Sequence, residues 1–142
     1  DVPETKRVQW AREVHLHTTN NLTHGLATTG TLMLTVPWHS VDSATSIHEA
    51  AYGRIMFYID GGLKKMFVSL DDDKHKIANA HLDTLPEYIQ QICYDIIKED
   101  IFDLEELRTN VKSRVLFNIA QMSKYVESAQ TKQVEQVSLF GV

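Results

Sequence analysis

Apolar residues recur every three or four positions between Asp103 and Val126. They are Leu104, Leu107, Val111, Val115, Ile119, Met122 and Val126. This spacing predicts one long amphipathic helix, because such steps place side chains on one face of an α-helix. Asp103, with Glu106 three residues later, is typical of a helix start, since a carboxylate can accept the unpaired amide hydrogens of the first turn. About 24 residues at about 1.5 Å each give a rod of roughly 35 Å, the width of a small domain.

The first half of the chain predicts mainly β structure. Residues 4–18 fit either a helix that starts at Pro3 or a half-buried strand, and we favour the strand because apolar and polar positions alternate. Residues 26–36 predict extended structure, since they are rich in residues that favour strands. Residues 63–70 predict another buried strand.

Two shorter helices are predicted around the last of these strands. Ser46 and Glu49 have the spacing of a capping box, and we expect their helix to end at the glycine pair 61–62. Thr84 begins the second, with Pro86 in its first turn. The predicted fold class is α+β: a small antiparallel sheet from the N-terminal half, packed by helices, with one long C-terminal amphipathic helix.

Periodicity stops after Val126, where the chain becomes mostly polar. We therefore predict a single domain at residues 1–128 and a flexible tail at 129–142 that carries a docking peptide.

Composition narrows the class of function. The 142 residues are 43% apolar and 23% charged, which is typical of a globular protein. The net charge of −5 argues against direct nucleic-acid binding, because the phosphate backbone requires clustered Lys and Arg. Cys93 is the single cysteine and cannot form an internal disulfide, which favours a reducing compartment. With no apolar run long enough for a membrane and no signal-peptide pattern, we expect a cytoplasmic protein.

Large apolar residues return at the end of the polar tail. The pentapeptide Gln136-Val137-Ser138-Leu139-Phe140 resembles the motif with which many bacterial replication and repair proteins bind the DNA sliding clamp, commonly written Gln-Leu-Ser/Asp-Leu-Phe. The resemblance implies that Gln136 anchors one subsite while Leu139 and Phe140 fill a hydrophobic pocket, with Ser138 between them. Val137 departs from the commoner leucine. The implied function is a non-enzymatic interaction protein of bacterial or phage origin.

An alternative is a homo-oligomeric protein that binds a small anionic ligand such as a nucleotide. The candidate ligand-binding residues are Arg108, Arg114, His15 and His17. The long apolar stripe exceeds what one small sheet can cover, so its surplus is a candidate dimer seam. A hydrolase that uses His15 or His17 is a third hypothesis. We expect no metal and no cofactor, because the chain lacks a set of ligands at metal-binding spacing.

Overall fold

The computed structural model has an α+β fold in which helices pack on a small antiparallel sheet, as predicted, with a long C-terminal helix. It describes residues 2–18, 21–26, 28, 30–36, 38–70 and 80–139, without the side chains of 30, 31, 34 and 129–139. The chain divides into two compact units, Asp1–Thr45 and Ser46–Val142, and each is described by itself. The predicted division at residue 128 stays a prediction.

The N-terminal unit contains two helices and a short pair of strands. These are α1 (Glu4–His17), β1 (His24–Gly25), α2 (Gly30–Thr35) and β2 (Ser40–Val41). The two strands are parallel, and His24 of β1 lies opposite Ser40 of β2.

Both stretches predicted to be extended in this unit are instead largely helical. In α1, Trp10 and Leu16 are 65% and 74% exposed, whereas Ala11 is buried. The alternation that favoured a strand therefore counted residues that face water, and the helix that follows Pro3 is the alternative adopted. Residues 30–35 form α2 because strand preference is weak and packing overrides it.

The C-terminal unit begins with a helix and a β-hairpin. These elements are α3 (Thr45–Ala51), β3 (Arg54–Ile59) and β4 (Gly62–Phe67). The helix predicted to run to residue 61 is wrong beyond Ala51. It stops at Gly53, whose φ of +75° is one that L side chains rarely adopt. β3 and β4 are antiparallel, with Ile59 opposite Gly62, and Asp60 and Gly61 both have the positive φ of a two-residue hairpin turn. β4 confirms a strand at residues 63–67, although none of its residues is fully buried and residues 68–70 lie beyond it.

Three helices follow the hairpin. They are α4 (Glu87–Glu99), α5 (Leu104–Thr109) and α6 (Val111–Leu139), with a short 3-10 turn at Leu82–Thr84 before them. α4 confirms the helix predicted from Thr84, although it begins at Glu87.

The predicted helix Asp103–Val126 is two helices. Its start is correct, since the Asp103 carboxylate accepts the Glu106 amide at 2.9 Å. The helix breaks at Asn110, whose backbone is extended and whose side-chain oxygen accepts the Lys112 amide at 2.9 Å. The helix end predicted at Val126 is also wrong, because the backbone stays helical through Leu139.

The hydrophobic core of this unit lies between the hairpin and helices α4 to α6. Phe117 is fully buried, with its ring centroid 5.4 Å from Phe57 and 5.3 Å from Phe102 in edge-to-face geometry. The buried cluster also contains Ile55, Val68, Leu82, Cys93, Ile97 and Leu107.

The face of α6 that packs on β3 carries two buried amide side chains beside Phe117. Asn118 is fully buried, and its Oδ1 accepts the Met56 amide at 2.8 Å. Gln121, also fully buried, accepts the Tyr58 amide at 2.9 Å. These side chains supply the acceptors that the edge of a strand needs when it is covered by a helix.

The apolar stripe predicted for this helix lies beside the buried face rather than at its centre. Val111 and Ile119 are 44% and 47% exposed, and Val115, Met122 and Val126 are half-buried. The α6 part of the predicted stripe thus contributes no fully buried side chain among those described, whereas Leu107 of α5 is fully buried.

Candidate functional site

A groove in the N-terminal unit is a candidate site among the residues that the structure describes. Its volume is about 450 Å³, which is in the range of sites for small organic ligands. It is lined by Arg7, Trp10, Ala11, Val14, Thr23, His24, Gly25, Leu26, Thr28, Leu32 and Trp38, and we call it the N-terminal groove. Most of this lining is apolar, so the groove is suited to a planar or aliphatic group.

Helix α1 forms one wall of the N-terminal groove. Arg7, Trp10, Ala11 and Val14 are spaced by three and four residues, which places them along one helical face. Ala11 is 2% exposed and forms the base of this wall. The small side chain of Ala11 lets the groove reach the helix.

Trp38 forms the opposite wall. Its indole Nε1 donates to the Leu32 carbonyl at 3.1 Å, and its ring lies edge-on to His15 with centroids 6.1 Å apart. A Cβ on Gly25 would lie 3.2 Å from Trp38 Cδ2 and 2.6 Å from Thr28 Oγ1. Glycine at position 25 is therefore required for Trp38 to approach β1.

Polar groups lie at the edge of the N-terminal groove. His24 Nδ1 is 2.8 Å from Ser40 Oγ, and His24 Nε2 is 3.9 Å from Asp42 Oδ1. Serine, histidine and aspartate are the residue types of a hydrolytic triad, but here the carboxylate is beyond hydrogen-bond range and does not orient the imidazole. His24 and Asp42 are also 44% and 59% exposed, so water surrounds both groups. The contacts join β1 to β2.

The two predicted histidines have different environments. His15 is half-buried, with Nδ1 at 3.4 Å from Thr23 Oγ1 and its ring against Trp38. His17 is exposed at the end of α1. The structure thus places His15 against Trp38 of the groove, although His15 does not line the groove, and leaves His17 exposed.

The two predicted arginines lie in the C-terminal unit and have protein partners. Arg108 Nη2 is 2.5 Å from the Asp83 carboxylate, and its Nη1 is 3.3 Å from Glu105. Arg114 is 5% exposed and donates from Nε to the Ala50 carbonyl at 2.9 Å.

Further contacts show what the Arg114 guanidinium does. Its Nη1 donates to the carbonyls of Leu107 at 2.9 Å and Arg108 at 3.1 Å. It therefore holds the end of α5 against α3, and burial lowers the pKa of the Arg114 guanidinium. The donors of Arg114 that are described thus have backbone acceptors within the protein, and its role in ligand binding stays a prediction.

The predicted docking residues lie at the end of α6. The backbone at Gln136, Ser138 and Leu139 is helical. Their side chains, and the whole of Phe140, lie outside the described residues.

Sequence reasoning missed the aromatic lining of the groove. Trp10 and Trp38 are the two tryptophans of the chain and occur within its first 40 residues. The occurrence of both tryptophans in this short stretch was the sequence signal for an aromatic site. Their proximity, however, depends on α1, and the sequence pattern favoured a strand there.

The described part of the chain was compared with two further kinds of feature, membrane-spanning helices and metal-binding clusters. No helix there combines the length and apolar character needed to cross a bilayer. Within the same residues, no cluster of three or more His, Cys, Asp and Glu side chains is arranged to hold a metal ion.

No family model, curated protein or solved structure matches the chain.

Proposed function

We propose that this is a non-enzymatic interaction protein of bacterial or phage origin that docks on the DNA sliding clamp through its C-terminal peptide. The observation that carries the proposal is the resemblance of Gln136-Val137-Ser138-Leu139-Phe140 to the clamp-binding motif. Gln136 and Ser138 supply polar contacts, and Leu139 and Phe140 enter the apolar pocket of the clamp. The protein then works in the cytoplasm, where replication takes place.

The position of the peptide on α6 supports this role. Tyr125 is the last buried side chain of the helix among those described, at 9% exposure. The helical backbone continues from there to Leu139, about 20 Å further along at about 1.5 Å per residue. A helix of that length can carry the peptide beyond the last described core contact toward a groove on another protein.

Clamp binding by the full chain tests the proposal. Replacing both Leu139→Ala and Phe140→Ala removes the apolar anchors, and we expect at least about a tenfold rise in Kd for purified clamp, measured by biolayer interferometry. Val134→Ala is the matched control, since it shortens an apolar residue just before the motif. Circular dichroism of each variant should equal that of the parent. Equal clamp binding by the parent and the double variant would exclude the peptide as the docking element.

A second candidate function is binding of a small anionic ligand such as a nucleotide in the N-terminal groove. The observation that favours it is the pair of indole walls beside Arg7 and His24. An indole face can stack on a planar ring, and a guanidinium attracts phosphate. We assign this candidate site to Arg7 and His24 rather than to the two arginines of the C-terminal unit, because Arg114 is buried and Arg108 is ion-paired.

Tryptophan fluorescence tests this candidate, since both indoles of the chain line the groove. We expect a member of a nucleotide panel to quench the emission and raise the melting temperature. Arg7→Gln should weaken that response about fivefold, whereas Arg12→Gln, an exposed α1 residue outside the lining, should leave it unchanged. A panel without quenching or thermal shift would reject the candidate.

A further inference from the structure

The polar groups that line the N-terminal groove differ in whether the protein already uses them. The Thr28 hydroxyl donates to the Leu26 carbonyl at 3.3 Å, and the Trp38 indole Nε1 donates to the Leu32 carbonyl at 3.1 Å. A donor that is already bonded within the protein gains little from a ligand, because one hydrogen bond only replaces another. These two groups therefore do not select what the groove binds.

Two more polar lining residues, on and beside β1, also have contacts within the protein. Thr23 Oγ1 is 3.4 Å from His15 Nδ1, and His24 Nδ1 is 2.8 Å from Ser40 Oγ. His24 Nε2 also lies 3.9 Å from the Asp42 carboxylate, whose negative charge opposes any positive charge on the imidazole. This side of the groove therefore offers little positive charge to a ligand.

Two donors on α1 are still available. Within the described residues, neither the Arg7 guanidinium nor the Trp10 indole Nε1 has a hydrogen bond or an ion pair, and both side chains line the groove. They are three positions apart, so they are neighbours on one face of α1. Neither group can accept a hydrogen bond. The polar end of a ligand beside them must therefore be an acceptor, and the charge of Arg7 favours an anion.

We propose that the N-terminal groove binds an aromatic monocarboxylate, which is a flat apolar ring system that carries one carboxylate. The carboxylate accepts hydrogen bonds from Arg7 and Trp10. The ring lies among the apolar lining residues, which include Trp38, Leu26 and Leu32. The inference rests on the second candidate function, because both need a small anion in this groove, and it names the chemical class of that anion.

Charge and lining favour this class over a nucleotide polyphosphate. Among the described lining residues, Arg7 is the one arginine or lysine. A ligand with several negative charges would therefore bring more charge than the groove can balance. Most of the lining is apolar. A ring without hydroxyl groups suits it better than a ribose, whose hydroxyls would lose water without gaining partners.

Isothermal titration calorimetry of the full chain with 2-naphthoate tests the class of ligand, and the neutral 2-naphthamide is the matched probe. We expect naphthoate to bind with a Kd below about 1 mM, as ligand efficiency allows for a molecule of this size. It should bind about fivefold to tenfold more tightly than the amide, because only the carboxylate carries a charge. Equal affinity for the two probes would overturn the proposal.

Two pairs of variants test the position of the ligand. Arg7→Gln should remove most of the preference for naphthoate over the amide, whereas Arg12→Gln, on an exposed α1 residue outside the lining, should keep it. Leu26→Ala should weaken naphthoate binding about threefold through loss of apolar contact. Leu22→Ala is its control, because Leu22 and Leu26 are 80% and 78% exposed but only Leu26 lines the groove. Unchanged binding in both Arg7→Gln and Leu26→Ala would place the ligand elsewhere and overturn the proposal.

Other ligands separate failure of this inference from failure of the function on which it rests. Adenosine monophosphate should bind more weakly than naphthoate, and adenosine triphosphate more weakly again. A triphosphate that binds more tightly than naphthoate would overturn the monocarboxylate and leave the second candidate in place. Tighter binding of decanoate would assign the groove to aliphatic chains and overturn the aromatic class. No binding of any of these anions at up to about 5 mM would reject the inference and the second candidate together.

Discussion

Burial of Cys93 gives the protein a specific response to alkaline pH. The side chain is 1% exposed on α4, and burial raises the pKa of the thiol from 9.0 to about 11. Between these values the native state retains the proton and the unfolded chain releases it. The native state then binds more protons, so the free energy of unfolding falls as pH rises.

We expect the contribution of Cys93 to the free energy of unfolding to fall by roughly 2–3 kcal/mol as the pH rises from 9 to 11, because one unit of pKa corresponds to about 1.4 kcal/mol. Below pH 9 the thiol is protonated in both states and contributes no slope. Urea unfolding of the parent and Cys93→Ala across this range checks the prediction, because other titrating groups are common to both proteins. The difference between the two proteins should change with pH, and a constant difference would contradict the assignment.

Ile101 has a backbone conformation that does not suit its side chain. Its φ is +63°, and it is 94% exposed. Asp100 caps α4, the Ile101 amide bonds to the Lys98 carbonyl, and the Phe102 amide bonds to the Ile97 carbonyl, both at 3.0 Å. These bonds define the left-handed helix ending in which glycine is preferred.

Ile101→Gly should therefore stabilise the protein by about 1 kcal/mol, because it relieves a strain of about 1–2 kcal/mol while adding some flexibility to the unfolded chain. The urea midpoint should rise with an unchanged m value. Ile101→Val keeps the branched Cβ and should give no gain. A lower midpoint for the glycine variant would show that Ile101 makes contacts worth more than its strain.

At the level of elements, the contact between α6 and β3 depends on buried amides. Asn118 accepts the Met56 amide and donates from Nδ2 to the Ser46 carbonyl at 3.1 Å, so one side chain joins α6 to β3 and α3. Asn118→Leu has a similar volume but leaves these buried backbone groups without partners.

We expect Asn118→Leu to lower the free energy of unfolding by about 2–4 kcal/mol, measured by circular dichroism in urea. Gln91→Leu is the control, since it also replaces an amide with leucine, on the exposed face of α4. That change should stay within about 0.5 kcal/mol of the parent. A loss below about 1 kcal/mol for Asn118→Leu would mean that water or a backbone shift replaces its hydrogen bonds.

Some elements could be predicted because their local signals agree with their packing. α4 is an example, because its predicted apolar stripe supplies the buried Cys93 and Ile97 to the core. The hairpin turn also had a local signal, since Asp60-Gly61 is a preferred pair for a two-residue turn. Glycine is also common at helix ends, and that interpretation of Gly61 extends α3 through β3.

Other features could not be predicted because they depend on distant partners. The face of α6 is the clearest case, since nothing local shows that Asn118 and Gln121 will cap a strand more than 60 residues earlier. The N-terminal groove is another, because Trp10 and Trp38 come together only once α1 and β1 have formed. Apolar periodicity predicts which helices form more reliably than it predicts which face is buried.

At the scale of the whole molecule, the two compact units have very different cores. The N-terminal unit spans 45 residues, and the apolar side chains it buries among those described are Ala11 and Val36. A unit of that size buries too little surface to be strongly stable. The C-terminal unit has the aromatic core around Phe117 and most of the helical residues.

Two optical probes separate these units, because Trp10 and Trp38 both lie in the N-terminal unit whereas most of the helical signal comes from the C-terminal unit. We expect the fluorescence transition in urea to precede the transition in circular dichroism. Asn118→Leu should shift only the latter, since its hydrogen bonds lie within the C-terminal unit. Coincident transitions that move together in this variant would mean that the two units unfold as one cooperative structure, and the groove would then depend on the core of α6.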